Sequence, residues 1–184
     1  MKNICAIFFI LLLSTKANAE GFFDNTIFGI AFINQNVDIE VTGTNAGSFS
    51  DSGSGLGLYL DKYYKKKYRF NSTLSYVTYD TFDITELIFS ADYLVPVSPQ
   101  ISFFGGAALG GALQTFSDSS ASDGALGAVY GVQLGGIVFI NNNLMLEAGY
   151  RLRPTSIETE ITGSTDIVTI DDLSETYISL LLMF

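Results

Sequence analysis

Apolar and polar residues alternate along most of this chain. From Leu144 to Arg153, one parity holds Leu144, Leu146, Ala148, Tyr150 and Leu152, while the other holds Met145, Glu147, Gly149, Arg151 and Arg153. Successive Cβ atoms of an extended chain point to opposite sides, so this period of two predicts a strand with one apolar and one polar face. Thr85–Val95 repeats the pattern, with Leu87, Phe89, Ala91, Tyr93 and Val95 against Glu86, Ile88, Ser90 and Asp92. In Tyr68–Tyr79, Tyr68, Phe70, Leu74 and Tyr76 oppose Arg69, Asn71, Thr73 and Ser75. Leu56, Leu58 and Leu60 alternate in the same way with Gly55, Gly57, Tyr59 and Asp61.

Two apolar runs, Ile101–Phe116 and Ala125–Ile140, are less regular and carry glycines four residues apart: Gly106 and Gly110, then Gly127, Gly131 and Gly135. Close-packed membrane helices use that spacing. Each run is only 16 residues long and is interrupted by Gln114 or Gln133, short of the roughly 20 apolar residues a membrane helix needs. As strands, they place the glycines on an inward face where bulky side chains from opposite strands need room. Turn-forming clusters at Thr42–Gly55, Asp80–Asp83, Pro96–Gln100, Ser117–Gly124, Asn141–Asn143 and Gly163–Ser164 separate the runs. The expected strands are 26–41, 55–63, 67–79, 83–95, 101–116, 125–140, 143–161 and 167–184. An even number of alternating strands, with short connections on one side and mostly longer ones on the other, is the pattern of a transmembrane β-barrel. The fold class expected is all-β, an eight-stranded antiparallel up-and-down barrel.

Composition sharpens this picture. Hydrophobic residues make up 48% of the 184 and charged residues only 15%, with a mean hydropathy of +0.33 and a net charge of −10. Soluble domains carry about 25% charged residues. Residues 1–19 begin with Lys2, continue through an apolar run from Ile4 to Leu13 and end in Ala17-Asn18-Ala19. That is the layout of a cleaved secretory signal peptide, leaving 20–184 as the barrel domain. The lone cysteine, Cys5, leaves with it, so no disulfide is expected. Lys2 and Lys16 leave too, and the balance of the remaining chain becomes −12.

The chain ends in Tyr177-Ile178-Ser179-Leu180-Leu181-Leu182-Met183-Phe184. This resembles the carboxy-terminal signal of bacterial outer-membrane barrels, with Ile178, Leu180, Leu182 and Phe184 at alternating positions. The Gly149-Tyr150-Arg151 segment resembles the penultimate strand of small opacity-protein and OmpX-like outer-membrane barrels. The resemblance implies a Gram-negative outer-membrane location, recognition by the barrel-assembly machinery and burial of Phe184 at the periplasmic rim. In such a barrel the polar parities point inward. Glu86, Asp92, Glu147, Arg151 and Arg153 are then expected to form a lumenal ion-pair network, since charges in a low-dielectric interior need partners. Eight strands leave an interior that side chains roughly fill.

Charge also divides by side. Lys62, Lys65, Lys66, Lys67 and Arg69 cluster at one short connection, expected to be periplasmic. Asp38, Glu40, Asp51, Asp80, Asp83, Asp118, Asp123, Glu158, Glu160, Asp166, Asp171, Asp172 and Glu175 are expected in or near the opposite, extracellular loops. Seven tyrosines, Tyr63, Tyr64, Tyr68, Tyr76, Tyr79, Tyr93 and Tyr150, are candidates for interfacial girdles in a chain without tryptophan. With no histidine, the hydroxyl-histidine chemistry of enzyme barrels has no base, and a carboxylate pair such as Asp80 and Asp83 is more simply a turn former. No catalytic, metal or cofactor site is expected. The expected function is non-enzymatic, structural or surface-interacting through acidic loops. The alternative is a narrow, porin-like conduit for small or apolar solutes, with the inward glycines of the fifth and sixth strands as its gap. Expected partners are outer-membrane lipid, lipopolysaccharide, the assembly machinery and an extracellular surface partner, but not nucleic acid.

Overall fold

The computed structural model describes residues 26–43, 46–65, 67–116, 124–160 and 167–183. The expected signal peptide and Phe184 lie outside them. Eight strands run β1 (Thr26–Thr42), β2 (Gly47–Tyr64), β3 (Tyr68–Thr78), β4 (Phe82–Pro96), β5 (Ile101–Phe116), β6 (Gly124–Phe139), β7 (Leu144–Glu160) and β8 (Ile167–Met183). Each pairs antiparallel with its sequence neighbour, and β1 pairs with β8 to close the barrel. Closure leaves no sheet edge, so every strand has a partner for its backbone groups on both sides.

The geometry of closure follows from the register. Starting at Tyr63 on β2, successive partners are Arg69, Asp92, Gly106, Gln133, Arg151, Glu175, Gln35 and finally Gly53, back on β2. The circuit returns ten residues from its start. With eight strands and ordinary strand spacings, this stagger corresponds to a tilt of about 42°. All members of the row share the inward parity, so it climbs the inner wall as a spiral.

Parity decides the two faces, as the alternation predicts. Leu87, Phe89, Tyr93, Leu146 and Leu152 face outward, whereas Glu86, Asp92, Glu147 and Arg151 are buried inside. The ambiguous runs are strands, and their inward parity includes the glycines. On β1 the outward face is apolar at Ile30 and Phe32, then becomes Asn34, Asn36, Asp38 and Glu40 toward the end where β1 connects to β2.

One boundary departs from expectation. The stretch Thr42–Gly55, rich in Ser and Gly, reads as a loop, yet β2 begins at Gly47 and pairs with β1 up to Val41 opposite Gly47. A neighbouring backbone already held extended supplies the hydrogen bonds that weak strand-forming residues do not secure on their own. A bulge interrupts β8 where Asp38 pairs with Asp172 but Ile39 pairs with Ile170.

Candidate functional site in the barrel lumen

The spiral row is also the axis of a buried polar network. Its lower part is built around Arg69, whose Nε donates to Asp92 Oδ2 at 2.9 Å. Arg69 also pairs with Glu147 and lies 3.5 Å from Asp61. Its guanidinium sits 4.4 Å from the centre of the Phe104 ring, which lies below it. Asn71 donates to Asp61, and the Tyr177 hydroxyl donates to Glu147 at 2.8 Å.

The upper part is built around Glu175, which accepts from Arg151 at 2.8 Å and Arg153 at 2.5 Å. Arg153 lies 3.0 Å from Glu86, and Gln35 Nε2 donates to Glu86 at 2.9 Å. The Tyr79 hydroxyl closes this end by donating to Gln35 Oε1 at 2.7 Å. Gln133 joins the halves: its Nε2 donates to Asp92 at 2.6 Å and its Oε1 accepts from Arg151 Nε at 2.9 Å. Arg151 also stands 4.3 Å from the Tyr177 ring centre and donates to the Tyr59 hydroxyl at 2.7 Å.

Three guanidinium groups therefore face five carboxylates, and all eight side chains are buried. The excess negative charge is met by neutral donors, namely Asn71, Gln35, Gln133 and Tyr177. Buried charge costs several kcal/mol per ion unless pairing and hydrogen bonds offset it. Here each guanidinium stands against at least one carboxylate, and the glutamines fill the places between them.

Of the five lumenal residues named from the sequence, only Glu86 and Arg153 touch each other. Asp92 and Glu147 are held by Arg69, and Arg151 by Glu175. Charge clustering places Arg69 with the lysine turn, but it lies on the inward parity of β3. The sequence places Glu175 among the extracellular acids, but it lies on the inward parity of β8, four residues along the strand from the bulged Asp171, where the parity of the strand switches. The signal for both was present in the alternation and was outweighed by neighbouring charges. Among the other acids, Asp38, Glu40, Asp80, Glu158 and Asp171 are exposed, whereas Asp118, Asp123, Glu160 and Asp166 lie where no side chain is described. Tyr63 and Tyr79 turn toward the lumen instead of joining a girdle, while Tyr64, Tyr68, Tyr76, Tyr93 and Tyr150 face outward. Ile178, Leu180 and Leu182 of the terminal signal also face outward.

The inward glycines do make room, but for neighbours and not for opposite strands. Gly149 lies beside the Tyr177 ring on β8, Gly135 beside Phe104 on β5, and Gly53 beside Tyr79, which follows β3. The first two are direct register partners. On the fifth and sixth strands the space over Gly106, Gly110 and Gly127 is taken by Asp92, Ile88 and Ile157. Apolar side chains pack the lumen on both sides of the network: Ile27, Ile137, Met145 and Leu181 toward the end with the short β2–β3 turn, and Ile39, Phe82, Ile84 and Ile170 toward the opposite end. Among the described residues no cluster of acidic side chains is arranged to hold a metal ion.

No protein-family model matches the sequence, and no curated protein matches it in sequence. Solved structures match it in shape. Neisserial surface protein A is 15% identical, with 84% of this chain and 97% of that one covered at a TM-score of 0.63. The outer membrane protein OprG from Pseudomonas aeruginosa is also 15% identical, with 91% and 99% covered at a TM-score of 0.53. At such identities the likeness concerns fold, and together with the closed register it places this chain in the architecture of small outer-membrane β-barrels.

Proposed function

We propose that the chain is an integral outer-membrane barrel whose activity is contact at the cell surface, with a lumen that serves as its internal framework and not as a pathway. The observation that carries this reading is a buried ion-paired layer with mainly apolar side chains on both sides of it among the described residues. A conduit would need a continuous wet path, and hydrated charges lining it would not be packed against Phe104, Tyr59 and Tyr177. The outward Leu, Phe, Ile and Val side chains suit hydrocarbon, and the polar, acidic upper strands suit water.

The contact surface in this reading is the extended upper end of β1, β2, β7 and β8. It exposes Asp38, Glu40, Glu158 and Asp171 beyond the apolar belt. Two candidate partners fit an acidic surface: lipopolysaccharide phosphates bridged by divalent cations, and a basic macromolecular surface. With no histidine in the chain, acid-base and nucleophilic catalysis of the usual barrel kind has no base, so a non-enzymatic role is the simpler one. The test is capture of partners by intact cells displaying the barrel, compared with cells displaying a variant in which Asp38, Glu40, Glu158 and Asp171 are changed to their amides. The reading expects capture to fall at least tenfold in the variant. Unchanged capture, or capture only after cells are lysed, would contradict it.

A further inference from the structure

The outer wall is uneven where β3, β4 and β5 meet. Tyr68, Phe70 and Tyr93 surround Ala91 and Gly105 and leave a furrow of about 220 Å³. Register explains its form: Tyr68 stands opposite Tyr93, Tyr93 opposite Gly105, and Phe70 opposite Ala91. Rings therefore meet small residues on the next strand. The Tyr68 and Tyr93 rings pack edge to face with centroids 5.6 Å apart, which fixes one wall. A Cβ on Gly105 would meet nothing nearer than the Gln133 carbonyl oxygen at 3.9 Å. Glycine is not needed there for the barrel to close, in contrast to Gly149 or Gly106. Its effect is to keep the furrow open.

The furrow lies at the end of the barrel that carries the short β2–β3 turn, with Lys65 and Lys67 exposed. The Leu94 amide donates to the Lys67 carbonyl at 2.7 Å, which holds the turn against β4. Lys65 Nζ lies 5.0 Å from the Tyr64 ring centre, and Tyr64 is the register partner of Tyr68. Among the described residues, the acids nearest this end, Asp61, Asp92 and Glu147, are buried in the lumen, and Asp92, which lines the furrow from within, is paired with Arg69. A positive edge, without exposed carboxylates among the described residues, thus borders an apolar furrow that faces hydrocarbon.

We propose that this furrow binds one anionic phospholipid of the periplasmic leaflet, with an acyl chain over Ala91 and Gly105 and the phosphate at Lys65 and Lys67. The charge of the turn selects the headgroup, and the small residues receive the chain. The proposal rests on the membrane-spanning reading above. The experiment is native mass spectrometry of the refolded barrel with equal amounts of phosphatidylglycerol and phosphatidylcholine of identical chains. Surface lysines each favour an anionic lipid, and two of them predict retention of phosphatidylglycerol on the order of tenfold above phosphatidylcholine.

The double variant Lys65→Gln, Lys67→Gln is expected to retain both lipids equally. Gly105→Leu is expected to lower retention of both, and Ala91→Leu serves the same purpose if the first variant does not give a heat-modifiable, folded band. Equal retention by the unaltered protein, a preference that survives loss of both lysines, or displacement of lipid by soluble glycerol phosphate would each overturn the proposal. Failure of the barrel to enter vesicles would instead overturn the membrane reading, so the two failures are distinct.

Discussion

At the scale of single residues, Arg69 has the greatest consequence. It is the one guanidinium facing Asp61, Asp92 and Glu147, and all of these side chains are buried. Removing one partner of a buried ion pair leaves the remaining charge uncompensated, at a cost of about 3–5 kcal/mol. Arg69→Ala is therefore expected to lower stability by about that amount, as urea unfolding of the refolded barrel would record. Asp61→Asn should behave differently. Asp61 is the most distant of the three carboxylates from Arg69, at 3.5 Å, and it adds to an excess of negative charge. Its amide keeps the shape and relieves like-charge repulsion, so the unfolding midpoint should stay within experimental error or rise. A loss as large as that of Arg69→Ala would show that Asp61 is needed as a charge. The roles of these two residues were only half legible in the sequence. Alternation put both on the polar parity, but the lysines beside Arg69 suggested a solvated turn, and a one-dimensional pattern cannot say that β4 and β7 bring Asp92 and Glu147 to the same guanidinium.

At the scale of elements, the strands announced themselves through their period, and the exceptions have physical causes. The outer half of β2 was hidden because Gly and Ser have little strand preference, so its extension depends on β1 being there to pair with it. The seam between β6 and β7 is a second exception. Its ladder is continuous from Phe139 opposite Met145 to Val132 opposite Leu152, then resumes only at Val129 opposite Thr155. Pro154 lies in the gap and has no N–H to give. Thr155 compensates in part, its hydroxyl donating to the Ala128 carbonyl at 2.8 Å. The side chain of Ile157 still packs over Gly127, so the strands touch without a regular ladder. Amide hydrogen exchange should therefore be faster at Leu126–Ala128 than at Val132–Val138, by at least tenfold. Equal protection along β6 would mean that the seam is as firmly bonded as the rest. No sequence pattern marks this seam beyond the proline, because register is a property of two strands together.

At the scale of the whole molecule, a ten-residue stagger over eight strands sets the bore, and the bore sets what fits inside it. The sequence was informative about this scale because closure and alternation are linked: an outward apolar parity on every strand has no other stable arrangement in a membrane. It was silent on how the lumen is filled. The inward glycines suggested a gap, and the side chains that occupy it come from the adjacent strands. The result is a layered interior among the described residues, mainly apolar toward both ends with a spiral of paired charges between them. On the proposed reading, function belongs to the outer surfaces, namely the acidic upper strands and the lysine-bordered furrow near the opposite rim. The central claim is that the lumen is a framework and not a pathway. It is tested most directly by the conductance of refolded protein in a planar bilayer. The account predicts a flat baseline without stable single-channel steps, and the same baseline for Arg151→Gln at voltages where the membrane itself holds. Reproducible steps from the unaltered protein, changed in size or abolished by Arg151→Gln, would contradict it.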